Sequence, residues 1–332
     1  MRLFIAPVLV SILVFVLVGW WGGAEAFVLT LALAMLEVSL SFDNAVVNAK
    51  VLGQMTPRWQ QRFLTWGMPL AVFGVRFVLP ILIVAAAALA SPWRIALLAF
   101  QDPLEYSILL YNASPAIHAF GGAFLLMVAL KYFFDEEKRV HWLGNFEREL
   151  TKIGEIRSIE TLVALSAVLC LGLASLSTTA VLLSGLAGVV LYLLLEFCTT
   201  ALTSGVYKNT AAGGLALFIY LNVLDAAFSL DGVVGAFALT TQIFIILAGL
   251  GIGAYFVRSF TVYLTRKRTI ETFIYLEHGA HWAIFSLALF LFAALFTDVP
   301  EVVPGMVGLI FAVLSFLSSR KVLKASKRAL DF

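Results

Sequence analysis

Four carboxylates stand where a carboxylate is costly to keep. The stretch Leu36-Glu37-Val38-Ser39-Leu40-Ser41-Phe42-Asp43-Asn44-Ala45-Val46-Val47 puts two acids, two serines and an asparagine inside a run apolar enough to cross a bilayer. The chain repeats it as Leu224-Asp225-Ala226-Ala227-Phe228-Ser229-Leu230-Asp231-Gly232-Val233-Val234, where Asp225 answers Glu37, Ser229 answers Ser41 and Asp231 answers Asp43 at the same spacing. A charge at bilayer depth costs roughly 2.5–3.5 kcal/mol on insertion scales, so two matched pairs point to a site rather than to helix-packing glue. Carboxylate, carboxamide and hydroxyl oxygens, with no Cys or convincing His beside them, suit hard divalent cations such as Mg, Ca or Mn. Four such acids repel one another unless a cation or protons neutralise them. Divalent cation exchange against protons or sodium is the chemistry expected.

Helical geometry sets how these groups are presented. Glu37, Ser41, Asn44 and Asn48 fall at i, i+4, i+7 and i+11 and form one polar stripe, and Asn222, Asp225, Ser229 and Gly232 form its counterpart. Asp43 lies six residues beyond Glu37, about 9 Å along a helix axis and about 120° round it. One straight helix therefore cannot offer both acids to one ion, whereas two antiparallel helices can. Crossing them near Leu40 and Phe228 levels Glu37 with Asp231 and Asp43 with Asp225. Two carboxylate pairs stacked along a path are expected, with Glu37, Asp43, Asp225 and Asp231 as metal ligands and Ser41, Asn44 and Ser229 in support.

The elements that must hold these helices follow from composition. Hydrophobic residues make up 62% of the chain and charged ones 13%, against about 25% charged in soluble domains, and the mean hydropathy is +1.00. Apolar runs of about 18 residues recur along the whole length, and the period-2 alternation of a barrel is absent. The fold class is all-α: one transmembrane domain, residues 1–332, of about ten helices with an inverted internal repeat. Repeat one covers about 27–134, repeat two about 212–318, and a polar loop about 135–160 lies between. The segment 92–113, interrupted by Pro92, Arg94, Asp102 and Pro103, is expected to be interfacial or re-entrant. An alternative for the first run is a cleaved signal peptide ending near Ala24-Glu25-Ala26.

Lys and Arg cluster after spans two, four, six and eight and in the C-terminal tail, including Lys50, Lys208 and Arg266. By the positive-inside bias, both termini lie in the cytoplasm. Span two then runs outward-to-inward and span seven inward-to-outward, so the two motifs are antiparallel. Transporters with inverted repeats place their sites at such an interface near the midplane. An echo one span after each motif, Phe73-Gly74-Val75-Arg76-Phe77 and Tyr255-Phe256-Val257-Arg258-Ser259, supports the repeat; its arginines either snorkel to the surface or pair with an acid. Glu277, His278 and His281 read as a solvated helix end with metal-ligand spacing as the rival, Glu196 as interfacial, and His118 as a satisfied buried histidine. Cys170 and Cys198 read as free buried thiols, and Trp20, Trp21, Trp93 and Trp142 as interface anchors.

At these residues the sequence resembles the TerC family of integral membrane proteins, associated with tellurium resistance and grouped with the lysine-exporter superfamily. Its first motif, Glu-x-x-Leu-x-x-Asp-Asn, matches Glu37, Leu40, Asp43 and Asn44; its second, Asp-x-x-Phe-(Ala/Ser)-x-Asp-Ser, matches Asp225, Phe228, Ser229 and Asp231. Gly232 stands where the family has its final Ser, so a backbone carbonyl would replace that ligand. The stretches Phe237 to Arg258 and Tyr275-Leu276-Glu277-His278-Gly279 also resemble the family, in a divergent branch described only as a domain of unknown function. The resemblance implies a manganese or calcium exporter of the inner membrane with the acids as ion ligands, membrane lipid as its surroundings, no nucleic-acid partner and no cofactor beyond the transported cation. Two rival classes remain: an intramembrane hydrolase with paired acids, and a structural or sensing protein of metal or tellurite stress that docks a partner through the 135–160 loop.

Overall fold

A computed structural model describes residues 2–203, 211–300 and 302–330. The side chain of Asp231, together with Lys208 and Glu301, lies outside the described residues. Four helices, α1 (Arg2–Leu40), α2 (Phe42–Gly53), α3 (Pro57–Thr65) and α4 (Gly67–Pro69), lead into a π-helical stretch, Leu70–Val78, which α5 (Leu79–Ala87) continues. The middle comprises α6 (Pro92–Gln101), α7 (Pro103–Phe133), α8 (Asn145–Ile153), α9 (Ile159–Ala174) and α10 (Thr178–Thr203). The chain closes with α11 (Ala211–Leu239), α12 (Ile243–Arg266), α13 (Thr269–Thr272), α14 (Leu276–Ala293) and α15 (Val302–Leu330). No strand occurs among the described residues, as a chain immersed in lipid requires when its backbone must satisfy itself segment by segment.

Among the described residues, seven helices are long and apolar enough to cross a membrane. The first of them is two crossings. Gly23 has φ 72° and ψ −164°, and the rings of Phe15 and Phe27 lie 5.3 Å apart, where continuous helix would separate them by about 18 Å. The chain folds back at Gly23, with Trp20 and Trp21 exposed beside the bend. Ile159–Ala174 and Gly213–Ser229 are shorter apolar helices, and with them the crossings fall where hydropathy places them. The protein is an all-α, multi-pass membrane protein.

One expectation is corrected here. Residues 103–133 form a single long helix rather than part of a re-entrant segment followed by a shorter span. Asp102 caps that helix by accepting from Glu105 N at 3.0 Å, and Pro103 sits at its first turn, where proline is tolerated. The polar residues that look like interruptions are thus a helix start, and α6 is a separate short helix before it.

From Ile117 to Leu130, α7 is buried on nearly every side and packs against α9, α10, α11 and α14, as a helix apolar all round must. The outer faces of α1, α9 and α10 carry exposed residues such as Leu13, Leu169, Leu183 and Leu194, a surface suited to lipid. Cys170 and Cys198 are free thiols, but both are exposed on this outer surface rather than buried, because the α9–α10 hairpin packs on the bundle by its other face.

The most intimate contact is between α1 and α12. Gly249 and Gly253, four apart, face Leu33 and Glu37, also four apart. A Cβ on Gly253 would lie 2.5 Å from Glu37 Cβ and Cγ, so only glycine lets the backbones close at that depth. Gly251 is different: a Cβ there meets Val72 at an ordinary 3.4 Å. Gly253→Ala should therefore lower the melting temperature in detergent by several degrees, through overpacking of about 1–3 kcal/mol, while Gly251→Ala leaves it unchanged or slightly higher. Differential scanning fluorimetry of the two variants checks this.

Candidate functional site

Span two is not a continuous helix. It breaks at Ser41 (φ −105°, ψ 15°), between Glu37 at the end of α1 and Asp43 at the start of α2. The distortion is local, since Ser41 N still donates to Glu37 O at 3.1 Å and Ala45 N to Ser41 O at 3.0 Å. Glu37, Ser41, Asp43, Asn44, Asn48, Asn222, Asp225 and Ser229 are all buried, so both polar stripes face the interior and not lipid.

The stripes meet antiparallel. Asn44 Nδ2 donates to Asp225 Oδ1 at 2.8 Å, while a Cβ on Gly232 would lie 3.9 Å from Glu37 Oε2. Later residues of the first motif thus face earlier residues of the second. Asn48 Nδ2 donates to Asn44 Oδ1 at 2.7 Å and fixes the amide that reaches across. Asn44 also links two acids, because its backbone N–H donates to Asp43 Oδ1 at 2.9 Å.

The arginines one span after each motif pair with the acids. Arg76, only 3% exposed, donates through NH2 to Glu37 Oε1 and through NH1 to Ala71 O at 3.0 Å. Ser41 Oγ donates to the same carboxylate oxygen at 3.0 Å. Arg258, only 2% exposed, binds Asp225 Oδ2 at 2.9 Å and Asn222 Oδ1 at 3.2 Å through NH2, and Phe63 O at 3.3 Å through NH1. Its guanidinium also sits 4.3 Å from the centre of the Phe63 ring. Arg76 belongs to the π-helical stretch, and π-turns inside α-helices often sit at functional sites. Snorkelling is therefore not what these residues do.

Asp43 is the exception among the described motif acids, since no described cation lies within ion-pair distance of it. Two buried polar atoms nearby in the stripes, Ser229 Oγ and Asn48 Oδ1, have no hydrogen-bond partner among the described residues. No two described motif carboxylates are hydrogen-bonded to each other, the arrangement that would favour paired-acid hydrolysis. No group of three or more His, Cys, Asp or Glu placed to hold a metal ion occurs among the described residues, which do not include the side chain of Asp231.

A cavity of about 600 Å³ opens beside the crossing, lined by Leu36, Val234 and Gly235 at its inner end and by Thr297, Asp298 and Pro300 at its mouth. Buried His118 also lines it. Pro304 lines both this cavity and a narrow crevice that contains Asp43, Gly305 and Leu287. The cavity opens on the face whose connecting segments carry a single basic residue, Arg94.

On the opposite face, the polar loop folds back onto its own chain. Glu147 of α8 is fully buried and accepts from Trp142 N at 3.0 Å and Trp282 Nε1 at 3.0 Å; Lys138 Nζ lies 3.2 Å and His278 Nδ1 2.9 Å from it. His278 and His281 are therefore a buried anchor, not a solvated helix end: His281 stacks on Tyr132 at 3.6 Å and Glu277 pairs with Lys50. Glu196, near a span end, pairs with Lys131 at 2.8 Å. Sequence reasoning overlooked Glu147; the signal was His278 and Trp282, four apart on one helix face, both able to donate to one acid.

Burial alone would raise the Glu147 pKa, but hydrogen bonds from His278 and Trp282 and the charges of His278 and Lys138 outweigh it and pull the pKa down to about 2. A carboxylate depressed in this way stabilises the docked loop above its ordinary value of 4.5 and loses that contribution as the pH falls toward 2. Glu147→Gln should undock α8 at neutral pH, at a cost of about 1–3 kcal/mol. Limited proteolysis should then cut the 135–157 loop about tenfold faster or more, and wild-type protein should show the same change only on acidification below about pH 4.

No curated protein and no solved structure matches this chain. A family model described as "Protein of unknown function (DUF475)" matches residues 42–326, from Asp43 and its helix through the second motif to the last crossing. Most of the sequence is covered by that match, and the chain belongs to this family.

Proposed function

We propose that the protein is a divalent metal cation transporter that exports manganese, or calcium, by alternating access at the crossing of its two acidic motifs. In this reading the acids Glu37, Asp43, Asp225 and Asp231 together set the charge of the crossing, and Ser41, Asn44 and Ser229 supply neutral oxygens. The observation that carries it is the antiparallel meeting of two buried acidic stripes, marked by the Asn44–Asp225 hydrogen bond, with Asp43 left without a positive partner among the described residues. A buried carboxylate with no counter-ion calls for a proton or a cation, and the crevice that contains Asp43 adjoins the cavity on the non-basic face.

The choice of manganese and the kinship with TerC exporters rest on the motif resemblance. The orientation, with both termini in the cytoplasm, rests on the distribution of Lys and Arg, and the assignment to the inner membrane rests on the resemblance. The cavity would then be the outward vestibule, and the docked 135–157 loop would cover the inner ends of α7 and α14. Such an arrangement is one state of a two-state cycle: open outward, closed inward.

Asp43→Asn keeps the shape and removes the charge. In vesicles reconstituted with purified protein, it should reduce Mn²⁺ movement at least about a hundredfold while insertion and melting temperature stay at wild-type values; Asp231→Asn should do the same. Wild-type rates in both variants would rule out the transporter reading.

A further inference from the structure

The described acids are not equivalent. Glu37 and Asp225 each hold a buried arginine, whereas Asp43 holds none. The two arginines come from corresponding places, one crossing after each motif, and both pair with the first acid of their own motif. Each is also tied to a backbone carbonyl, Arg76 to Ala71 O at 3.0 Å and Arg258 to Phe63 O at 3.3 Å. Both are thus held by groups that a passing ion does not replace.

Resting on the transport reading above, we propose that Arg76 and Arg258 are fixed internal counter-ions: they withdraw Glu37 and Asp225 from ion ligation and leave the exchangeable positive charge to Asp43. A guanidinium remains charged at every physiological pH, so the two pairs stay neutral whether or not cargo is present. A divalent cation that ligated Glu37 or Asp225 directly would either displace a guanidinium or share its carboxylate, and in both cases would leave two positive charges buried side by side. That cost excludes the cation from the paired carboxylates. It does not arise at Asp43, where incoming charge meets an acid with no described cationic partner. The pairs also act on selectivity. By removing two negative charges from the crossing they reduce the positive charge needed to neutralise it, so that the empty site can be closed by protons instead of by a second metal ion. Ser41 and Asn44 then have positioning roles, the first holding Glu37 Oε1 and the second holding Asp225 Oδ1 while donating its own N–H to Asp43.

The test exchanges charge pairs in the full-length protein, with Mn²⁺ as the probe in reconstituted vesicles and melting temperature in detergent as the second readout. Glu37→Gln, Arg76→Gln, Asp225→Asn and Arg258→Gln each leave one buried charge uncompensated, and each should lower the melting temperature and slow Mn²⁺ movement by about tenfold or more. The doubles Glu37→Gln/Arg76→Gln and Asp225→Asn/Arg258→Gln restore neutrality, and should recover both readouts by a coupling of about tenfold or more over the singles. Doubles that regain wild-type melting but transport no faster than the singles would show that Glu37 and Asp225 are themselves ligands, and the counter-ion assignment would fall. Doubles that melt no higher than the singles would also overturn it. Should wild-type protein move no Mn²⁺, the transport reading fails by itself. The melting arm then decides the pairs: recovery in the doubles upholds fixed counter-ions and no recovery refutes them.

Discussion

Charge inside a low-dielectric layer has to be compensated, and most of the interior of this protein is arranged around that requirement. Glu37 and Asp225 meet it with Arg76 and Arg258, partners that lie 39 and 33 residues further along the chain. Neutral polar groups nearby add to the compensation: Ser41 and Asn44 donate to the carboxylates, Asn222 accepts from Arg258, and Asn48 holds Asn44. Breaking such a buried pair leaves a bare charge, typically costing about 3–5 kcal/mol, and four crossings converge here on side chains that lipid could not tolerate.

Packing supplies the rest of the geometry. Gly253 lets α12 touch the backbone of α1 at Glu37, and the break at Ser41 divides the crossing so that Glu37 and Asp43 belong to different helices. A straight helix would already set those acids about 120° apart, and one acid turns toward the arginine of the next crossing while the other lines the crevice that contains Pro304 and Gly305. At the other end, Glu147 performs a similar service for the polar loop, gathering Lys138, His278, Trp142 and Trp282 around one carboxylate. At Glu37, Asp225 and Glu147 alike, several donors converge on one buried carboxylate.

Much of this was legible in the amino acids themselves. Hydropathy, being local composition, marked the crossings, and the fold-back at Gly23 lies in the gap it left between the first two. Repetition of the acid motif and the alternation of basic loops together implied an antiparallel meeting, and the contacts of Asn44 with Asp225 and of Gly232 with Glu37 run in that sense. Where the reading was wrong, the error was local as well. Asp102 and Pro103 look like breakers in a hydropathy profile and are a cap and a first turn in the helix. Cys170 and Cys198 look buried because their neighbours are apolar, yet in a membrane protein apolar neighbours also line the outside.

The sequence by itself determined the class of protein, the placement of its crossings and the pairing of its two acidic stripes, because those depend on composition and periodicity along the chain. Only the tertiary structure decided which acids are already neutralised. Whether Arg76 snorkels or turns inward depends on where α1 lies relative to the π-helical stretch, and whether His278 meets water or Glu147 depends on where the polar loop docks. Those distances arise between segments far apart in sequence, and they are set by close packing, such as that at Gly253, that no local pattern records.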